Sequence, residues 1–332
     1  MTTLTPFSAL LQAFFTERLM KERRASSHTI ASYRDTFRLL LSFARKQLKK
    51  APSELALDDL NAPFIGAFLE HIQRNRHCGI RTRNLRLTAI RSFFHYIAFQ
   101  EPGRSALIER VLAMPTKRCD RALIDFLSHP EIQALLAAPD STTWIGRRDK
   151  ALLLVAIQTG LRLSELIGLR RRDVVLTSGA HLRCYGKGRK ERCTPLTKQT
   201  VAVLRPWLQE GGGSEDHVVF PNARGAPLSP DGVQYLLAKH VAAACNVCPS
   251  LKEKHVSPHV LRHTAAMELL QAGVDHAVIA LWLGHESPET TQIYLQASLA
   301  LKEKALEKTT PPNVQPGRYQ PQDRLVRFLN AL

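Results

Sequence analysis

Apolar residues recur at helical spacing through most of the chain. Residues 6–22 form one such segment. After Ser26 and Ser27, both suited to an N-cap, Ile30, Tyr33, Phe37, Leu40 and Ala44 fall on one stripe of a second helix, with Arg34, Arg38 and Arg45 opposite. A third helix is predicted over 60–73, capped by Asp58 or Asp59, and a fourth over 81–99. In the fourth, Leu87, Ile90, Phe94 and Ile97 share an apolar face, while Arg81, Asn84, Thr88, Arg91 and His95 share a polar, cationic one.

Residues 101–127 combine Pro102, Gly103 and Pro115 with a basic cluster and read as a connection between domains. Helical patterning resumes at Ser128, where SHPE supplies a cap, a proline and an early acid, and continues through 144–158. The period then shortens to two: HLRCY and ERCTPL flank the turn GKGRK, which predicts a hairpin with lysines at its tip. Helical segments follow at 198–209, 229–245, 258–272, 275–283 and 287–308. After a Pro-containing spacer, Leu325, Phe328, Leu329 and Leu332 mark a last amphipathic stretch. The pattern therefore predicts a mainly α protein with a small antiparallel β-sheet. It has an all-α domain at 1–105, a linker at 106–127, a mixed α+β domain at 128–300, and a tail at 301–332 whose apolar stripe suits docking.

Composition is that of a folded chain: 332 residues, 44% hydrophobic and 23% charged. Charge is less ordinary. The formal net charge is +17, and both halves share it: residues 1–126 carry 21 basic and 11 acidic side chains, and residues 127–332 carry 25 and 18. A polyanionic partner is expected, and the six arginines between His71 and Gln100, with no acid among them, suit phosphates. Arg81, Asn84, Thr88 and Arg91 of the fourth helix, with Arg34 and Arg38 of the second, are the candidate nucleic-acid contacts.

The longest strongly apolar run, Ala151–Ile157, is far short of the roughly 20 residues that span a bilayer, and the N-terminus lacks the pattern of a signal peptide. A cytoplasmic protein without membrane contact is expected, its six scattered cysteines reduced. Cys245, Cys248, His255 and His259 follow a spacing that passes for a zinc site, but a single C-x2-C is weak support. His259 and His263 have the spacing of HExxH, yet Val260 stands where the acid belongs.

Four segments of the second domain gather cations and one nucleophile: TGLRLSEL with Arg162, GKGRKER with Lys187, HVLRHT with His259 and Arg262, and LGHESPETTQIY with His285 and Tyr294. Singly, each reads as an ordinary surface or core element. In this order, with Lys187 25 residues after Arg162 and Tyr294 nine after His285, they resemble the tyrosine recombinase (phage integrase) family, in its Xer-like and mobile-element forms. The N-terminal helices are similar, more loosely, to the family's SAM-like core-binding domain, so the resemblance covers about residues 6–300.

The chemistry fits these residue types. Attack on a DNA phosphodiester gathers negative charge on the nonbridging oxygens, which two guanidiniums, Arg162 and Arg262, stabilise without a metal or other cofactor. Ser257 and Pro258 read as N-cap and N1, placing His259 in a helical first turn whose amides favour an anion. The resemblance implies that Tyr294 is the nucleophile of a 3'-phosphotyrosyl intermediate. By the same analogy Lys187 protonates the 5' oxygen, with Lys190 a second candidate on the hairpin, His259 serves as base and His285 bonds the phosphate. Glu165 reads as an ion-pair partner of Arg162, and His263 as a packing residue. The family further implies two domains closing on duplex DNA, a dimer on each site, a tetramer joining two sites through a Holliday junction, and accessory proteins as possible partners. Integration, excision or movement of a mobile element is the favoured role; a catalytically silent DNA-binding protein on this fold and a type IB topoisomerase are the alternatives.

Overall fold

A computed structural model describes residues 6–119, 124–185 and 191–284. The predicted helix at 287–308, the spacer and the tail lie outside them. The chain divides into two compact units, 1–121 and 122–332.

In the first unit, α1 (Phe7–Ala13) continues into π-helical turns over Phe14–Glu22, followed by α2 (Ser27–Leu48), α3 (Ala62–Asn75), α4 (Ile80–Ile97) and α5 (Ser105–Leu112). Ser26 caps α2 by accepting from the Thr29 amide at 3.2 Å. The cap of α3 is Asn61, which accepts from Phe64 N at 3.0 Å, and not Asp58 or Asp59. Asp59 instead closes a short 3-10 turn by accepting from Ala56 N at 2.9 Å. The core is aromatic: Phe93 meets Phe7, Phe14, Phe37 and Phe94 edge-on at centroid separations of 5.5–5.7 Å, each pair worth about 0.5–1.5 kcal/mol beyond its buried area.

The stretch read as linker begins as structure. Ile108 and Val111 of α5 are buried in the first unit's core, because SALIERVL is itself amphipathic and the Pro102–Gly103 punctuation precedes it. Residues 114–117 then lie along α4. Arg83 donates to Pro115 O at 3.2 Å, Asn84 Nδ2 to Lys117 O at 2.8 Å, and Arg91 to Met114 O.

The second unit contains α6 (His129–Ala137), α7 (Trp144–Thr159), α8 (Leu163–Gly168), β1 (Val174–Val175), β2 (His181–Tyr185), β3 (Glu191–Pro195), α9 (Lys198–Gly211), α10 (Pro230–Ala244), α11 (Pro258–Gln271) and α12 (His276–Leu283). The sheet is antiparallel in the order β1-β2-β3, with Leu182 opposite both Val174 and Thr194. Residues Ala151–Ile157 of α7 are all buried, so the apolar run in the sequence is a central core helix.

Two buried polar clusters tie the helices together. Asp149 Oδ1 accepts from Arg148 Nε at 3.0 Å and Nη2 at 2.7 Å, its Oδ2 lies 2.7 Å from His240 Nε2 on α10, and Arg148 Nη1 reaches Pro221 O at 3.0 Å. Glu131 accepts from Ser128 N, Ser250 Oγ and Lys254 Nζ, each at 2.7 Å. Burial pushes the Cys184 thiol, on the inner face of β2, up to about 12. Among the described residues no helix is long and apolar enough to cross a membrane.

Candidate active site

The site is built where α7, α8, α11 and α12 meet. Gly160 ends α7 in the left-handed region, φ +62°, and a Cβ there would stand 2.6 Å from Leu283 Cδ2 and 3.0 Å from Ala265 Cβ. Only glycine lets the chain turn so close to α11 and α12. The turn delivers Arg162 to the N-cap position of α8, where its amide donates to Glu165 Oε2 at 2.8 Å and its Nη1 to Glu165 Oε1 at 3.0 Å.

From the other side, Ser257 caps α11 and Pro258 opens it, so His259 lies in the first turn and Arg262 one turn on. Arg262 is 4% exposed. Its Nη1 donates to Gly160 O at 2.6 Å and its Nη2 to Leu283 O at 2.7 Å. Arg162 Nη2 donates to Gly284 O at 2.5 Å. Both guanidiniums therefore grip the turn that ends α12: Arg262 is oriented by main-chain oxygens, and Arg162 by the Gly284 carbonyl together with the Glu165 carboxylate. Arg162, His259 and Arg262 line one cavity of about 470 Å³ with Leu161, Leu163, Gln234, Ser257 and Pro258.

Electrostatics favour a neutral imidazole beside two fixed cations. Burial, and then the Arg262 charge, holds His259 below its ordinary value. His263 packs its ring edge-on against His259 with centroids 4.4 Å apart. Burial, followed by the charges of His259 and Arg262, takes His263 down to about 4. A neutral His259 can accept a proton near pH 7, while the cavity offers an anion two guanidiniums and the amides of a helix N-terminus.

Three of the six candidate catalytic residues thus share a cavity; Lys187, His285 and Tyr294 lie outside the described residues. Cys245, Cys248, His255 and His259 do not gather into a metal-holding group. The candidate DNA contacts divide. Arg81 and Thr88 are exposed on α4 and Arg38 on α2, and Arg34, also exposed, pairs with Asp35 at 3.3 Å. Asn84 and Arg91 are turned instead to the main chain of residues 114–117. Sequence reasoning missed Arg192 of β3, which forks onto Glu165 with Nη1 at 2.9 Å from Oε1 and Nη2 at 2.7 Å from Oε2. A signal existed: Arg192 alternates with the fully buried Thr194, so it points inward, and an inward arginine needs a carboxylate.

Comparison with known proteins places the chain in a family. Residues 125–300 match the model of the phage integrase family, and residues 13–101 match that of the phage integrase N-terminal SAM-like domain. The integrase/recombinase y4rC of Sinorhizobium fredii is 58% identical over 332 residues, the full length of both chains. The tyrosine recombinase XerC of Xanthomonas campestris is 34% identical over 280 residues, 84% of this chain and 82% of its own. Among solved structures, the XerH site-specific recombinase bound to its palindromic difH substrate superposes with a TM-score of 0.67 at 22% identity, over 86% of this chain and 81% of that one. The chain belongs to the phage integrase family, the tyrosine recombinases, enzymes that cleave and rejoin DNA at specific sites.

Proposed function

We propose that Arg162 and Arg262 bind the nonbridging oxygens of the scissile phosphate in the cavity at the N-terminus of α11, with His259 beside them as the base. The observation that carries this reading is the convergence of those three side chains on one cavity. His259 takes the proton of the Tyr294 hydroxyl as its oxygen bonds phosphorus. The bond to the 5' oxygen breaks, Lys187 protonates that oxygen, and His285 hydrogen-bonds the phosphate. The products are a 3'-phosphotyrosyl protein and a free 5'-hydroxyl. The covalent bond conserves the phosphodiester energy, so a 5'-hydroxyl from a second duplex reverses the step and exchanges strands without a nucleotide cofactor.

Residues 1–105 and the exposed cations Arg34, Arg38 and Arg81, with Thr88, serve duplex DNA; of the stretch 106–127, α5 packs with the first unit and the remainder connects to the catalytic region 128–300, and 301–332 contact a second protomer. Two protomers occupy a site and four join two sites, in the cytoplasm, where accessory proteins are further candidate partners. The similarity to an integrase/recombinase over the full chain supports the integration, excision or movement of a mobile element.

The test is a nicked suicide duplex carrying the footprinted site, followed by denaturing electrophoresis and peptide mapping. A covalent adduct at Tyr294, abolished in Tyr294→Phe with DNA affinity unchanged, is expected. Tight binding without an adduct would establish a silent DNA-binding protein, and relaxation of supercoils without strand exchange a topoisomerase.

A further inference from the structure

The second guanidinium on Glu165 does more than neutralise it. Glu165, 5% exposed in its side chain, accepts four N–H groups: Arg162 N, Arg162 Nη1, Arg192 Nη1 and Arg192 Nη2. A carboxylate has about four lone-pair sites, so this one is saturated and its plane is fixed by two arginines. Burial alone would push the Glu165 carboxyl up; the hydrogen bonds from Arg192 and Arg162 outweigh it and hold the group ionised below its ordinary value.

Arg192 also acts on the other partner of Arg162. Its Nε donates to Trp282 O at 3.2 Å in the last turn of α12. Its guanidinium lies so close to Gly284, φ +66°, that a Cβ there would stand 2.8 Å from Nη1. Arg162 Nη2 donates to the carbonyl of that same Gly284 at 2.5 Å. Both groups that orient the Arg162 side chain, the Glu165 carboxylate and the Gly284 carbonyl, are therefore braced by one residue on β3. Arg192 itself is 12% exposed in its side chain, and all three of its nitrogens are engaged within the protein, which leaves it poorly placed to hold a phosphate.

We propose that Arg192 is a positioning residue for DNA cleavage: braced against Glu165 and the Trp282–Gly284 turn, it sets the direction in which Arg162 presents its guanidinium. The inference rests on Arg162 as a phosphate-binding residue, and its test separates the two. On a nicked suicide duplex built on the footprinted site, the cleavage rate at saturating protein and the DNA Kd are measured for wild type, Arg162→Gln, Arg192→Gln and Arg192→Lys. Loss of one transition-state donor costs about 10²–10³ in rate, so Arg162→Gln should fall by that much. Arg192→Gln, acting through Arg162, should fall by at least about 10-fold with Kd changed by less than about 3-fold, and Arg192→Lys, which keeps the charge, should recover part of the rate. A methylphosphonate at the scissile position lacks one anionic oxygen and should narrow the gap between Arg192→Gln and wild type, which mere loosening of the fold would not. Cleavage by Arg192→Gln at the wild-type rate, or a gap unchanged on the methylphosphonate, overturns the inference; cleavage by Arg162→Gln at the wild-type rate overturns the reading beneath it. Should Arg192→Gln fail to fold, Arg192→Lys decides: a slower rate at unchanged Kd supports the role, and the wild-type rate refutes it.

Discussion

Replacing Asp149 by Ala tests how the catalytic unit is held together. Asp149 is 1% exposed and Arg148 7%, and the carboxylate supplies both hydrogen bonds that balance the arginine's Nε and Nη2 and the partner of the 4%-exposed His240. After the substitution Arg148 keeps the Pro221 carbonyl and the face of Trp144, 5.5 Å from the ring centroid, but its charge is buried without a counterion. Breaking a buried pair from one side costs about 3–5 kcal/mol. For a unit of this size 1 kcal/mol shifts the midpoint by about 2–4 °C, so a fall of roughly 6–20 °C is expected. The assay follows from the sequence: all three tryptophans, Trp144, Trp207 and Trp282, lie in the second unit, so tryptophan fluorescence reports its unfolding alone. Arg148→Met with Asp149→Leu removes both charges and should recover more than half of the loss. A loss below about 1 kcal/mol for Asp149→Ala, or a double variant no better than the single one, would refute this assignment of the cluster.

Further outcomes follow from other positions. Gly160→Ala forces a left-handed residue and a Cβ 2.6 Å from Leu283; it should cost about 1–3 kcal/mol and slow suicide-substrate cleavage even where binding persists. Hydrogen bonds from Lys254, Ser250 and Ser128 outweigh burial and take the Glu131 carboxyl from 4.5 down to about 2. Because the folded value is the lower one, Glu131 contributes full stability above about pH 4.5 and loses it as pH falls toward 2. Fluorescence-monitored denaturation should accordingly show a weaker acid dependence in Glu131→Gln. Asn84→Ala removes the bonds to the main chain of Lys117 at 2.8 and 3.1 Å and should speed tryptic cleavage at Lys117 and Arg118, read by mass spectrometry, with little change elsewhere. With a net charge of +17, DNA affinity should fall linearly in log–log form with salt through counterion release, and a flat response would contradict electrostatic binding.

Long amphipathic helices were legible in the sequence because the apolar stripe repeats several times: the segments expected at 198–209 and 258–272 appear as Lys198–Gly211 and Pro258–Gln271. The hairpin was legible through its change of period, and β2 and β3 coincide with HLRCY and the start of ERCTPL. Short elements were not. Leu163–Gly168 spans six residues and Val174–Val175 two, too few for a period to show. Periodicity also says which side chains share a face without saying what covers it. Asn84 and Arg91 do share a stripe with Arg81 and Thr88, yet the chain returns at 114–117 and takes up that part of it. Arg162, His259 and Arg262 around the cavity were readable by resemblance, whereas strand alternation shows at most that Arg192 points inward; its pairing with Glu165 depends on a register between strand and helix that no local pattern encodes.

The grip of Arg162 and Arg262 on the oxygens of Gly160, Leu283 and Gly284 bears on how such a site drifts and how it can be moved. A main-chain acceptor survives any side-chain replacement that leaves the path intact, so an alanine scan of these three positions would register packing and backbone strain while passing over the contact itself. Relatives can therefore diverge widely around the cavity and keep both guanidiniums aimed. Conversely, grafting the arginines and histidine onto another scaffold would fail unless the two turns came with them, since the curvature of the backbone at residues 160 and 283–284 is the component that cannot be supplied by a side chain.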